Sequence, residues 1–496
     1  MSEQTIRVSR SLDVSAAKPW LVAIAVYLLL MVLGNRLLGD ADTYWHITLG
    51  RLILEHRALP TGEALSQTVH ATHWVAYEWL SQIAYAAAYA LGGWVAVAAL
   101  TAAAAAAAFG LLTRYLLKYW QPTPTIAAVL AALVLTSPHI MARPHVLALP
   151  LMVTWIAALM RAVDTARPPS WWLLPLMTLW ANLHGSFIFG LAMTGVIAGE
   201  AIWLAPAPQR RRVATDWIAF AALALGAACL NPYGPELIAA TIRILSLGQA
   251  LSLIVEWRPQ DFSKLGAYEM VVLAAIGLAL WRGVRLPPFR ILVLLGVLHF
   301  SLSQSRHADL LGMLAPLLLA RPLAMQFATL AANSGEAEPH RPWHWSWLPA
   351  AAALLLVAAA AAVTGANAAR DTIAPAAAIT PANAVKALTG VTRGPILNDY
   401  ALGGYLDFVG IAPFIDGRTE LYGEAFVVRY HRAVNLENLP DFLRLLDENR
   451  IEATLLLPTT PAVALLDRLP GWRRVYADDI AVVHARRSPR FQATGQ

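Results

Sequence analysis

The chain has 496 residues, of which 58% are hydrophobic and only 14% charged. Soluble domains carry about 25% charged residues, so a wholly water-facing protein is excluded. The net charge of +6 does not indicate a nucleic-acid partner, because the basic residues lie in short loops between apolar runs and read as topology signals.

A hydrocarbon core of roughly 30 Å is crossed by about 17–25 apolar residues. Arg7, Arg10 and Lys18 precede the first apolar run, 20–38, which is longer than a signal-peptide core and lacks a small-residue cleavage site. It is expected to be a retained membrane helix. Further spans are predicted at 94–117, 125–137, 144–163, 171–184, 186–205, 214–230, 267–282, 290–304, 307–322 and 345–365. Cys229 lies within one of them, which excludes an intrachain disulfide or a cysteine-rich metal site.

The stretch 79–91 (WLSQIAYAAAYAL) decides the topology. If it lies in the interface instead of crossing, five sets of basic residues fall on the cytoplasmic side. These are Arg114 with Lys118, Arg161 with Arg167, Arg210 to Arg212, Arg282 with Arg285 and Arg290, and Arg321. The expected architecture is therefore a polytopic α-helical membrane protein of eleven spans. Its N-terminus is cytoplasmic and its C-terminal domain periplasmic.

Four connections then face outward: 39–93, 137–144, 231–266 and 303–309. The third carries one or two amphipathic helices, and 323–344 is expected to be a polar cytoplasmic linker. From 366 charged residues become denser, and short β-branched runs alternate with helical patterns. This composition predicts a transmembrane module over 1–365 and a soluble α/β domain over 366–496. Within the latter, Asn398-Asp399-Tyr400, Gly403-Gly404-Tyr405 and Asp416-Gly417-Arg418 have turn chemistry and suit a structural hairpin platform. The alternative is an acceptor-binding face made by Asp416, Arg418 and Tyr422.

The loop 39–93 opens with Asp40 and Asp42, followed by an interfacial helical pattern (YWHITLGRLIL) and a return helix near Glu78. An N-cap explains one of the two acids, with Asp42 the expected cap. The other asks for a different role. A first helix, an outer loop opening with acids, interfacial helices, many further spans and a terminal outer domain together resemble the GT-C superfamily of membrane glycosyltransferases. That superfamily includes protein O-mannosyltransferases, the aminoarabinose transferase and oligosaccharyltransferase subunits. The return helix reads Tyr77-Glu78-Trp79-Leu80 where many members have His-Pro-Pro-Leu.

The resemblance implies transfer of a sugar from a polyprenyl-phosphate-linked donor to a glycan, lipid or protein acceptor, with Asp40 or Asp42 as catalytic base. A carboxylate within hydrogen-bond reach can deprotonate the attacking hydroxyl, and cations must stabilise the leaving phosphate. Arg306 with His307, and Arg143 with His145, are the candidates for that phosphate, Arg306 ahead of Arg143. His46, Glu78 and His184 are weaker candidates for substrate contact. No cofactor is required by the sequence. A divalent metal (Mg²⁺, Mn²⁺ or Zn²⁺) would draw on Asp40, Asp42, His46 and Glu78. The rival readings are a transporter or flippase of lipid-linked sugars and a non-enzymatic envelope assembly protein. The first would need charged or broken segments near the bilayer midplane, and the spans offer few.

Overall fold

A computed structural model describes residues 18–60, 62–70, 72–332 and 347–487. Arg7, Arg10 and most of the expected polar linker (333–344) lie outside the described residues. Each expected span coincides with a helix. Among the described residues, four helices are long and apolar enough to cross a membrane: Trp79–Leu116, Pro144–Asp164, Phe187–Leu204 and Ser305–Gln326. Shorter apolar helices cover Pro19–Val32, Pro288–Ser303 and Leu355–Arg370.

The stretch 79–91 is continuous with 94–116 by hydrogen bonding, yet the two are separate rods. The helical geometry breaks at Gly92 and Gly93, and Gly93 has φ 59°, ψ −148°. That left-handed geometry favours glycine, so a Gly-Gly pair can redirect the chain where another residue would continue the helix. The connection 231–266 forms two short helices, Glu236–Leu245 and Gly248–Leu253.

The C-terminal part contains a four-stranded sheet in the order β1-β2-β4-β3, with β1 Ile396–Asn398, β2 Ala453–Leu456, β3 Trp472–Ala477 and β4 Val482–Arg486. β1 and β2 are parallel, whereas β2, β4 and β3 pair antiparallel. Of the three expected turns, Gly403-Gly404-Tyr405 instead opens the helix Gly403–Phe408. The glycines there serve packing: a Cβ on Gly404 would strike the Ala41 carbonyl, and one on Gly403 the backbone at Ile415 and Asp416.

A buried ion pair fastens this part to the loop 39–93. Arg418 is enclosed by Asp416, through a hydrogen bond from Nε to Oδ1 (3.0 Å) and one from Nη2 to Oδ2 (2.5 Å), and by Glu63 from the loop. The Tyr422 hydroxyl donates to Asp416 Oδ2 (2.8 Å), and the Trp74 and Trp45 rings flank the guanidinium at 5.3 and 5.8 Å. Further hydrogen bonds to C-terminal backbone extend the seam: Gln67 N–H donates to Pro413 O (3.0 Å) and the Thr68 hydroxyl to Phe414 O (2.8 Å).

Removing one member of a fully buried charge cluster leaves the rest uncompensated, at a cost of about 3–5 kcal/mol. Arg418→Ala is therefore expected to lower the thermal midpoint of the purified protein strongly. Glu63→Gln, which keeps the Asp416 pair, should lower it less. Tryptophan fluorescence on heating measures both, and an unshifted Arg418→Ala midpoint would contradict this role.

Candidate functional site

A cavity of about 1380 Å³ lies between the helical part and the C-terminal part. It gathers Asp40, Asp42, His46, Glu78, Arg143, His145, His184, Arg306 and His307, nine candidates from five separated stretches of sequence. Its centre is Arg143, the residue before the helix Pro144–Asp164. Arg143 Nε lies 2.6 Å from Asp40 Oδ2, Nη2 2.8 Å from Asp42 Oδ2 and Nη1 2.5 Å from Glu256 Oε2.

The local chain holds that guanidinium in place. Ala142 N–H donates to Leu37 O (2.7 Å), the Thr43 hydroxyl to Ala142 O (3.0 Å) and the Tyr85 hydroxyl to Arg143 O (3.0 Å). Residues 142–143 are thereby strapped to the loop that carries the two acids. On the other side, Ser305 N–H donates to Arg258 O (2.9 Å) and the Ser305 hydroxyl to Glu256 O (3.0 Å). These bonds join the turn of Glu256 to the turn Ser305–His307.

The two aspartates differ. The Asp42 N–H donates to Asp40 Oδ1 (2.8 Å), so Asp40, not Asp42, supplies the local turn bond at the helix start. Asp42 is the first helical residue, where its own side chain cannot cap. Both Asp40 oxygens are therefore engaged, whereas Asp42 pairs with Arg143 through Oδ2 alone. Asp42 Oδ1 lies against Gly417, where a Cβ would collide with it. Burial pushes the Asp42 carboxyl up to about 7; Asp40 and Glu256 add to the rise and Arg143 opposes it. Burial would also raise Glu256, but Arg143 and Arg306 outweigh it and hold that carboxyl at about 2.

Arg306 is held more loosely than Arg143. It meets Glu256 Oε1 at 3.3 Å and stacks over the Trp257 ring at 4.4 Å. Its side chain is 24% exposed, against 15% for Arg143. His307 Nδ1 is buried without a hydrogen-bond partner among the described residues. His145 Nε2 bonds the His139 carbonyl (2.9 Å).

Glu78 lies 3.9 Å from His46 Nε2 and 3.4 Å from His184 Nε2. Burial raises Glu78, assisted by Glu420, and burial lowers His46, assisted by Arg143. Burial thus disfavours the charged form of each, and the cluster is a polar wall of the cavity.

Among the described residues no three His, Cys, Asp or Glu side chains gather as a metal ion requires. The expected set of Asp40, Asp42, His46 and Glu78 is divided: Arg143 occupies the two aspartates, while Glu78 and His46 face each other at 3.9 Å. These residues as arranged do not fit a metal.

Asp416, Arg418 and Tyr422 do not line the cavity. They are 0%, 1% and 7% exposed and are consumed by the buried cluster described above. Their neighbours Gly417, Thr419 and Glu420 line the cavity instead, with Tyr400, whose hydroxyl bonds Thr419 Oγ1 (2.8 Å).

Glu256 is the main residue that the sequence reading missed. It is an isolated acid directly after the apolar run ILSLGQALSLIV, and that isolation was the available signal.

No protein-family model matches the chain, and no curated protein matches it. Solved structures do. ArnT from Cupriavidus metallidurans in the apo state is 15% identical, with 95% of this chain and 98% of that chain covered and a TM-score of 0.52. The same protein bound to undecaprenyl phosphate gives 14%, 96%, 98% and 0.50. The archaeal oligosaccharyltransferase AglB from Archaeoglobus fulgidus, in complex with an inhibitory peptide and a dolichol-phosphate, is 12% identical over 90% of this chain and 70% of that one, with a TM-score of 0.50. The chain shares the fold of these structures.

Proposed function

We propose that this protein is a membrane glycosyltransferase that moves a sugar from a polyprenyl-phosphate-linked donor to a glycan, lipid or protein acceptor at the outer face of the inner membrane. The observation that carries the reading is the cavity in which Asp42 and the Arg306–His307 turn share Glu256 and Arg143 as intermediaries. In this account residues 1–365 form the membrane module and 366–496 the periplasmic domain, with the N-terminus cytoplasmic. ArnT bound to undecaprenyl phosphate and AglB bound to a dolichol-phosphate support the donor class.

Asp42 is the base. Its second oxygen is free of Arg143, and a carboxyl poised near 7 suits proton transfer at neutral pH. As the acceptor oxygen attacks C1 of the sugar, its proton passes to Asp42. The C1–O bond to phosphate breaks, and its electron pair stays on the phosphate oxygen. Arg306 receives that growing charge, assisted by His307. Arg143 is a poor phosphate site, because a phosphate would compete with three carboxylates already upon it. Its role is to hold Asp40, Asp42 and Glu256 in register.

Asp42→Asn should lower kcat by about 10²–10⁴-fold while leaving undecaprenyl-phosphate binding within a factor of a few. The assay is transfer from polyprenyl-phosphate-linked sugars in proteoliposomes supplied with cell-envelope extract. Full activity of this variant would remove the base assignment.

The wild-type pH profile follows from the raised carboxyl. The base must be ionised, so activity is held above pH 7 and falls about tenfold per unit below it. A profile flat from pH 5 to pH 8 would contradict an Asp42 base.

Arg306→Ala should weaken undecaprenyl-phosphate binding by about 10–100-fold, the worth of a charged hydrogen bond. Native mass spectrometry of the purified protein reads this directly, and unchanged binding would place the phosphate elsewhere.

A further inference from the structure

A second cleft, of about 180 Å³, opens between the helices Trp79–Leu116 and Pro144–Asp164 and the turn that follows the first of them. Arg114, Lys118 and Arg161 line it, above apolar walls that include Leu111, Val153 and Ala158. Among the described residues none of the three cations has a carboxylate within 4.0 Å. The acid nearest in sequence, Asp164, is already consumed: Oδ1 takes Arg290 (2.7 Å) and Arg321 (3.4 Å), and Oδ2 accepts from the Tyr119 hydroxyl (3.2 Å). Burial, then Arg161 and Arg114, lower the Lys118 ammonium, which places the three charges in one another's field.

Converging like charges without a counter-ion are unfavourable unless an anion joins them. The shape and lining specify which anion. Three cations at the mouth suit a phosphate, and the apolar walls between two membrane helices suit the start of an acyl chain. The cleft's cations lie toward the C-terminal end of Pro144–Asp164, whereas the charged groups of the large cavity meet that helix at Arg143 and His145, its apolar lining running on as far as Met152. Sixteen residues separate His145 from Arg161, about 24 Å along the axis. A phosphate held at the charged groups of the large cavity is therefore not the one that meets the three cations of this cleft.

We infer that Arg114, Lys118 and Arg161 form a binding site for the phosphate headgroup of an anionic membrane lipid, on the membrane face opposite the candidate catalytic cavity. The phosphodiester of the bound lipid offsets part of the repulsion among the three cations and joins the C-terminal ends of the two helices.

The test uses the full chain in nanodiscs of phosphatidylcholine alone and of phosphatidylcholine mixed with phosphatidylglycerol. The expected result is a thermal midpoint higher by about 2–4 °C in the mixed discs. The combined variant Arg114→Gln, Lys118→Gln, Arg161→Gln should lose that difference while remaining folded in both lipids. A control with the same change in charge, Arg210→Gln, Arg211→Gln, Arg212→Gln, should keep it. Equal loss in the control would show diffuse surface attraction and overturn the site. A shift retained in the cleft variant would overturn it too. So would millimolar inorganic phosphate reproducing the whole shift in pure phosphatidylcholine, because the ligand would then be free phosphate. The readout is independent of sugar transfer, so it stands or falls apart from the proposed enzymatic activity.

Discussion

One guanidinium organises the candidate site. Arg143 meets Asp40, Asp42 and Glu256 within 2.8 Å, and each acid comes from a different backbone position that would otherwise repel the others. Three carboxylates in a partly buried space demand a cation, and one planar fork with several donors can satisfy them together where an ammonium would act as a point charge. The arrangement leaves the electrostatics unequal. Glu256, shared by two arginines, is held ionised, while Asp42 is pushed toward neutral pH by burial and by two acidic neighbours, against one arginine. Divergence of carboxyl groups within one cavity is the condition under which one can take a proton while another serves as fixed charge.

The same economy governs the two other charge clusters. Arg418 with Asp416 and Glu63 is sealed from water and joins the C-terminal part to the loop carrying the aspartates. Arg290 with Asp164 and Glu200 is likewise buried among the helices. Buried arginine clusters are weak sources of stability but costly to break, so they fix one arrangement of elements over others. Gly404 and Gly417 act in concert with them by letting C-terminal backbone approach Ala41 and Asp42 closely. The position of Asp42 thus depends on the C-terminal residues as well as on its own helix.

Much of this was legible in the sequence because the underlying signals are additive. Apolar runs long enough for a bilayer located the helices, and the first-loop acids located one wall of the cavity. The Gly92-Gly93 pair lay at the point where the helix 79–91 was expected to end, since local backbone preference decides such a break. Partner choice was not legible. Sequence shows that Arg143, Arg306, Arg290 and Arg418 are charged, but only packing reveals that Arg418 is structural and Arg143 is saturated with acids. The assignment of the cap to Asp42 failed for a related reason. The helix begins one residue earlier than a cap at Asp42 requires, which moves the accepting side chain back to Asp40. Glu256 escaped because its two arginine partners lie 113 and 50 residues away in the chain.

The most direct measurement is an experimental structure of the protein with undecaprenyl phosphate bound. The account predicts phosphate oxygens within hydrogen-bond distance of the Arg306 guanidinium, with Arg143 still bridging Asp40, Asp42 and Glu256. A phosphate seated on Arg143, with the aspartates released from it, would contradict the division of roles on which the proposal rests.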